Sequence, residues 1–159
     1  MGIPDWPHLR TSCGRPLVGS PMALYRIGEQ FNVSATLDPK PVPGDWNGAG
    51  AHTNFSTVAM RNGYAACEAA ADALGTRAEL HIANYGDRIE ERLTGEHETC
   101  SYKEFRWGVS DRGAPSEFHG RVSRDQKGYI EDRRPNANCD PYLVTQLIID
   151  TVCGAAAVA

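Results

Sequence analysis

The polar side chains that could do chemistry are concentrated in three short segments. They are His52, Asn54 and Ser56 in the first, Arg92 with His97 and Glu98 in the second, and Glu131 with Arg133 and Arg134 in the third. A histidine and two carboxylates beside arginines could form a site for a divalent cation and a phosphate, because such cations prefer oxygen ligands and guanidinium groups bind phosphate or carboxylate with paired hydrogen bonds. Spacing alone leaves a second interpretation open, in which His52 is a hydrogen-bonded core residue and residues 131–134 are a solvated charged run.

A glycine-rich segment at residues 44–50, GDWNGAG, is a further candidate. Its glycines permit backbone conformations that side chains forbid, so the segment predicts a tight, shaped loop. It lacks the Lys-Ser/Thr ending of a P-loop and the third glycine of a dinucleotide fingerprint. By itself it therefore indicates no more than a turn.

The elements that must position these side chains follow from apolar periodicity and from helix-breaking residues. Strands are predicted over residues 32–38, 52–56, 105–109 and 128–132, and the second of them places His52, Asn54 and Ser56 on one face. Helices are predicted over residues 22–31, over the alanine-rich stretch 58–83 with breaks near 62–63 and 75, and over 141–152. The predicted fold class is α+β, a partial antiparallel sheet with flanking helices.

Length, charge and cysteine usage exclude several classes of protein. A chain of 159 residues with 41% hydrophobic and 23% charged residues is typical of one globular domain. The net charge of −4 does not favour binding to nucleic acid or to an anionic membrane surface, and no apolar run is long enough to span a bilayer. The five cysteines are widely spaced without a CxxC pair, so we expect reduced thiols and no zinc knuckle. A cytoplasmic location is expected, with an organelle as the alternative.

Four motifs occur in order along the chain. They are LDPKPVPGDWNGAGAHTNFST at residues 37–57, RLTGEHE at 92–98, WGVSDR at 107–112, and KGYIEDRRP at 127–135, which leads into NCDPY at 138–142. Together they resemble the signature of eukaryotic-type glutamine synthetase, and the similarity extends from about Met22 to about Ile149. The resemblance implies that residues 22–159 form the second half of the family's barrel-like catalytic domain, and that residues 1–21 are a poorly ordered lead-in outside the match.

The resemblance implies an enzyme that phosphorylates the side-chain carboxylate of glutamate with ATP and then lets ammonia displace the phosphate. It assigns a divalent cation, Mg²⁺ or Mn²⁺, to His52 and Glu131. The positions that match nucleotide-binding residues of the family are Asn54, Ser56, Arg61 and Tyr129. The positions that match substrate-binding residues are Asp45, Trp46, Asn47, Gly48, Arg92, Arg112 and Arg133, and the last two also serve catalysis. Glu98 matches a catalytic carboxylate on a mobile flap, where it accepts a proton from ammonium.

The sequence departs from the family pattern in two respects. The family has an arginine five residues after the one matching Arg112, and Glu117 stands there in this chain, although Arg121 or Arg124 could substitute for it. The metal-binding glutamates of the first half of the catalytic domain and the β-domain of a neighbouring subunit are not among these residues. We therefore expect the isolated chain to make no glutamine.

Two alternatives to a working ligase follow. The chain could be a non-catalytic fragment that associates with full-length synthetase subunits or with copies of itself, or a decayed gene product. More remotely, it could be a metal-dependent hydrolase that uses His52, His97 and Glu98.

Overall fold

A four-stranded sheet forms the centre of the computed structural model, which describes residue 19, residues 21–111 and residues 113–154. The strands are β1 (Thr53–Phe55), β2 (Trp107–Val109), β3 (Ser116–Phe118) and β4 (Ile130–Asp132), in the spatial order β1-β4-β3-β2. Strand β4 pairs antiparallel with β1 and with β3. Strand β2 pairs parallel with β3. The predicted α+β class is confirmed, but the sheet is mixed rather than antiparallel.

The parallel pair is possible because both of its strands are only three residues long. Parallel neighbours usually need a crossover of a dozen residues or more, since the chain must return to the starting edge of the sheet. Here the return path covers only the length of a very short strand, on the order of 10 Å. Sequence patterns do not predict such a connection.

Of the four predicted strands, three are present in the structure. Those predicted over residues 52–56, 105–109 and 128–132 are confirmed with shorter bounds. The one predicted over residues 32–38 is wrong, because these residues join no sheet within the described part of the chain. Apolar alternation is not sufficient for a strand, which also needs a neighbour to pair its backbone groups. Strand β3 was not predicted at all.

The helices flank the sheet. Residues 21–30 form α1; the others are α2 (Tyr64–Thr76), α3 (Ala78–Ile82), α4 (Ile89–Arg92), α5 (Gly120–Asp125) and α6 (Pro141–Val152). Residues 58–62 form turns rather than the predicted start of the alanine-rich helix, so α2 begins only after residues 62–63. The second predicted break falls at Arg77 rather than at Gly75. Helix α6 begins as predicted, with Pro141 in its first turn and the Asp140 carboxylate accepting hydrogen bonds from two backbone amides. Among the described residues, no helix combines the length and apolar character that crossing a membrane requires.

Apolar side chains bury one face of the sheet in two adjoining clusters. The first joins α2 to the sheet and contains Met60, Cys67, Ala70, Ala71, Phe118, Val122 and Ile130. The second surrounds α6 and contains Tyr85, Ile89, Leu93, Cys100, Val144, Leu147 and Ile148. Phe55 and Val152 contact both clusters. Four cysteines of the described residues are free thiols, as expected, and Cys67 and Cys100 are buried. Cys13 lies outside the described residues.

A chain of buried hydrogen bonds links α6 to the sheet. Thr151 Oγ1 lies 2.8 Å from His81 Nε2, and His81 Nδ1 lies 2.5 Å from the Tyr85 hydroxyl. That hydroxyl donates to Asp132 Oδ2 at 2.9 Å, so its oxygen accepts from Nδ1–H of a neutral His81. Asp132 in turn accepts two side-chain hydrogen bonds from Arg134, each of 2.8 Å. Burial alone would raise the pKa of Asp132, but the Arg134 guanidinium holds that pKa below its usual value.

His81 should make the stability of the fold depend on pH. Burial lowers its pKa from 6.5 to about 4, so the folded state keeps the imidazole neutral while the unfolded chain takes up a proton. The contribution of His81 is complete above the unfolded pKa and is lost as pH falls towards 4, a change of roughly 3 kcal/mol. We expect urea unfolding of His81→Asn to show a correspondingly weaker pH dependence across this window.

His97→Asn is the matched control, because His97 is exposed. It should retain the pH dependence of the unmodified chain. If His81→Asn also retained it, the buried neutral imidazole would be the wrong description.

Candidate active site

The face of the sheet opposite the apolar core carries a row of three polar residues and a glycine. Asn54 on β1, Glu131 on β4, Glu117 on β3 and Gly108 on β2 are direct partners in the strand register. Side chains alternate along a strand, so the apolar neighbours Phe55, Ile130 and Phe118, which pack in the core, place this row on the other face. The sheet thereby aligns side chains that are up to 77 residues apart in sequence, such as Asn54 and Glu131.

Glu131 is the centre of this row. Its two carboxylate oxygens have different partners: Oε1 lies 2.8 Å from His52 Nδ1, and Oε2 lies 3.0 Å from His119 Nε2. Arg133 Nη1 is 3.4 Å from Oε1. Burial and then the charge of Arg133 lower the pKa of His52, against the opposing effect of Glu131. A neutral His52 that donates from Nδ1 to the carboxylate carries its lone pair on Nε2.

A polar cavity of about 430 Å³ opens beside Glu131. Its lining consists of Glu98, Ser110, Glu117, His119, Glu131 and Arg133. Of these, Glu98 belongs to the segment predicted to act as a flap. Glu98 and its neighbour His97 both have left-handed backbone conformations, with φ of 57° and 54°. Such conformations cost non-glycine residues about 1–2 kcal/mol each. Consecutive strained residues at a cavity mouth are consistent with a functional loop.

The residues predicted to bind a metal ion meet, but they do not complete a site. His52 and Glu131 are in direct contact and could supply two ligands. Within the described residues, no group of three or more His, Cys, Asp and Glu side chains is placed to hold a metal ion. Mg²⁺ takes six ligands and retains several waters when proteins offer few, so binding by this pair alone should be weak.

The glycine-rich loop lies next to the flap segment. Asp45 Oδ1 is 2.8 Å from His97 Nε2, and the Trp46 side chain is largely exposed. The Ala49 amide donates to the Pro39 carbonyl at 2.8 Å, which closes the loop. A Cβ atom at Gly48 would lie 2.4 Å from Arg92 Cγ and 2.6 Å from the Pro39 oxygen, so a side chain cannot be accommodated there without movement. Asn47 is exposed in the same loop.

Arg92 is buried beneath this loop and acts as a clamp. Its Nε donates to Asn136 Oδ1 at 2.8 Å, and its Nη2 lies within 3.1 Å of the carbonyl oxygens of residues 133, 134 and 135. Burial lowers the pKa of Arg92 to about 10, which leaves the guanidinium charged at neutral pH. Its Nε and Nη2 donors are therefore committed to residues that follow β4. Its predicted contact with substrate would depend on the remaining amino group.

The residues predicted to bind nucleotide form a second group at one end of β1. Ser56 Oγ donates to the Gly128 carbonyl at 2.6 Å, and Arg61 Nη1 lies 3.5 Å from the Ser56 carbonyl. The ring of Tyr129 lies 5.2 Å from that of His119, which connects this group to Glu131. Asn54 is exposed on the same strand. Arg112, the other predicted arginine, lies outside the described residues.

Sequence reasoning missed His119 as a member of the site, and it missed the strand that positions Glu117. Both belong to the segment PSEFHG at residues 115–120, which does not match the motifs. The signal available was the alternation of Ser116, Glu117 and Phe118, which would have indicated a strand with one polar residue on its own face. Arg121 and Arg124, considered as substitutes for the missing arginine, lie exposed on α5, where Arg121 pairs with Asp125.

Comparison with known proteins shows which proteins the chain resembles. No protein-family model matches the chain. Over 134 residues it is 60% identical to a glutamine synthetase of Streptomyces viridochromogenes. The aligned region covers 83% of the chain and 39% of that protein. It is 49% identical over 147 residues to glutamine synthetase root isozyme 1 of Zea mays and to glutamine synthetase cytosolic isozyme 1 of Glycine max. In both cases the aligned region covers 91% of the chain and 41% of the relative.

These relatives are all named glutamine synthetases. The resemblance to glutamine synthetase predicted from the four motifs is confirmed, with bacterial and plant relatives alike. The chain spans about 40% of the length of the relatives that it matches.

Removing the Arg92 side chain should destabilise the fold strongly. Arg92→Ala removes the donor of hydrogen bonds to four acceptors, most of them buried, and we expect the free energy of unfolding to fall by about 3 kcal/mol. Arg61→Ala is the matched control, because Arg61 is exposed and should change stability by less than about 0.5 kcal/mol. Urea titrations of both variants measure the difference. Equal, small effects would show that Arg92 is not a clamp.

Proposed function

We propose that this chain carries the phosphoryl-transfer face of a glutamate–ammonia ligase. The observation that supports the proposal is the contact of Glu131 with both His52 and Arg133, beside a cavity that Glu131, Arg133 and Glu98 of the flap segment line. The identity to named glutamine synthetases extends over most of the chain. The substrates are then glutamate, ammonia and ATP, and neither nucleic acid nor a membrane takes part.

The reaction has two steps. A side-chain carboxylate oxygen of glutamate attacks the γ-phosphorus of ATP, the bond to the bridging oxygen breaks, and ADP leaves with that electron pair. Ammonia then attacks the carbonyl carbon of γ-glutamyl phosphate, and inorganic phosphate leaves. Both steps move negative charge, so positioned cationic groups stabilise their transition states most.

The proposed roles follow from where each side chain lies. His52 and Glu131 would hold Mg²⁺ or Mn²⁺, which supplies positive charge to the nucleotide phosphates, together with ligands from the remainder of a full-length synthetase. Arg133 faces the same cavity and would contact the transferred phosphoryl group or a substrate carboxylate. Glu98 at the cavity mouth would accept the proton that ammonium loses, and closure of its loop would keep water from the acyl phosphate.

The remaining residues would position the two larger substrates. The loop of Asp45, Trp46, Asn47 and Gly48 would hold glutamate, with Arg92 and Arg112 on its carboxylates. Asn54, Ser56, Arg61 and Tyr129 would line the nucleotide. The chain would work in the cytoplasm as part of an oligomer, as the name of the cytosolic relative suggests for its location.

A chimera tests the proposal. We expect a Streptomyces viridochromogenes glutamine synthetase whose matching segment is replaced by that of this chain to form glutamine, and Glu131→Ala in the chimera to reduce the rate at least about 100-fold. Glu104→Ala, an exposed carboxylate, is the control and should leave the rate unchanged. A chimera without activity, or one indifferent to Glu131→Ala, would contradict the proposal.

The isolated chain should make no glutamine from glutamate, ATP, ammonia and Mg²⁺, because two ligands bind the cation weakly. Turnover by the pure chain that Glu131→Ala abolishes would contradict this expectation. Phosphate release from ATP without glutamate would instead favour a hydrolase.

The second candidate function is a non-catalytic fragment that associates with full-length synthetase subunits. Several large apolar side chains near the start of the described residues are highly exposed: Met22, Ile27, Phe31, Val33 and Trp46. Such a concentration is typical of a surface that another chain covers. Co-purification of the tagged chain with a full-length synthetase would support this function, and a monomer that ignores such a partner would count against it.

A further inference from the structure

Glu117 and Glu131 form an unusual pair across the sheet. They are direct partners in the register of β3 and β4, and their side chains are only 7% and 11% exposed. Like charges directly opposite each other on neighbouring strands are destabilising. The structure relieves this repulsion with Arg133, whose Nη1 lies 3.2 Å from Glu117 Oε2 and 3.4 Å from Glu131 Oε1.

These contacts use hydrogen-bond donors on both amino groups of Arg133. Its Nη1 donates to both carboxylates, and its Nη2 lies 3.4 Å from the Glu98 carbonyl oxygen. A phosphate entering the cavity would have to take these donors from acceptors that are already in place. It would also meet the buried carboxylates of Glu117 and Glu131, which line the same cavity and repel an anion.

The contacts of Glu131 do not by themselves require the donors of Arg133 to be occupied. The other partners of Glu131 are His52 and His119, and these two satisfy both of its oxygens at 2.8 and 3.0 Å. Without the charge of Glu117, Arg133 would have only the longer contact to Glu131 and the Glu98 carbonyl. It could then turn a pair of donors towards a phosphoryl group, which is the geometry in which guanidinium groups bind phosphate best.

We propose that Glu117 is a specificity-determining residue that masks Arg133 and excludes phosphate-bearing anions from the cavity. The proposal rests on the proposed function only in assigning a phosphoryl group to this cavity. In this chain the charge at position 117 therefore decides whether the cavity accepts an anion before a divalent cation is bound. Removing that charge while keeping the side-chain shape should reverse the preference.

Binding of pyrophosphate to the purified chain in metal-free, low-salt buffer tests the proposal by isothermal titration calorimetry. Glu117→Gln is expected to bind at least about tenfold more tightly than the unmodified chain, since one charge contact of this kind is worth that factor or more. Glu104→Gln, which makes the same change of net charge on an exposed side chain, should bind as the unmodified chain does. The double variant Glu117→Gln with Arg133→Gln should lose the gain.

The proposal is overturned if Glu117→Gln gains no affinity, if Glu104→Gln gains as much, or if the gain survives the loss of Arg133. Glu117→Ser is the second variant should the glutamine variant unfold, and thermal melting identifies that case. A gain in pyrophosphate affinity alongside a chimera that stays inactive even with Glu117→Gln would reject the ligase function and keep the masking role. No gain in pyrophosphate affinity alongside an active chimera would reject the masking role and keep the ligase function.

Discussion

The structure depends on one short strand that carries a carboxylate on each face. In β4, Ile130 and Asp132 point towards the core, and Glu131 between them points to the cavity. Asp132 is held by Arg134 and by Tyr85, so the strand is anchored from behind. Because side chains alternate strictly along a strand, fixing Asp132 also fixes Glu131. The placement of His52, His119 and Arg133 around one carboxylate follows from that constraint.

The buried polar groups serve this placement more than they serve stability. A buried ion pair such as Asp132 with Arg134 offers little net stabilisation over apolar side chains, but losing one partner of it is costly. The hydrogen bonds that link Thr151 to His81 and His81 to Tyr85 extend the same restraint to α6. Arg92 holds the backbone after β4 from the other side. The strands beneath the cavity are therefore firmly held, whereas Glu98, which also lines the cavity, follows His97 in a pair of left-handed residues.

The sequence predicted the parts of the fold that local rules determine. Helix α6 was predicted at its observed bounds because Asp140 and Pro141 mark its start, and β1 and β4 lie within the predicted strands. The contact between His52 and Glu131 was expected only from the resemblance, since a separation of 79 residues carries no local signal. The parallel pairing of β2 with β3 and the role of His119 could not be predicted, because both depend on a segment that departs from the motifs. The failed strand at residues 32–38 shows the converse, in which a good local pattern lacks a partner.

The central claim is that the imidazole of His52, the carboxylate of Glu131 and the guanidinium of Arg133 are in contact at one place that can accept a divalent cation. Paramagnetic broadening by Mn²⁺ in the NMR spectrum of the isotopically labelled chain tests it most directly, because this effect detects even weak binding near a nucleus. We expect Mn²⁺ to broaden the backbone amide signals next to residues 52 and 131 selectively, and Glu131→Ala to abolish the effect. Uniform broadening, or selective broadening centred elsewhere on the molecule, would contradict the account.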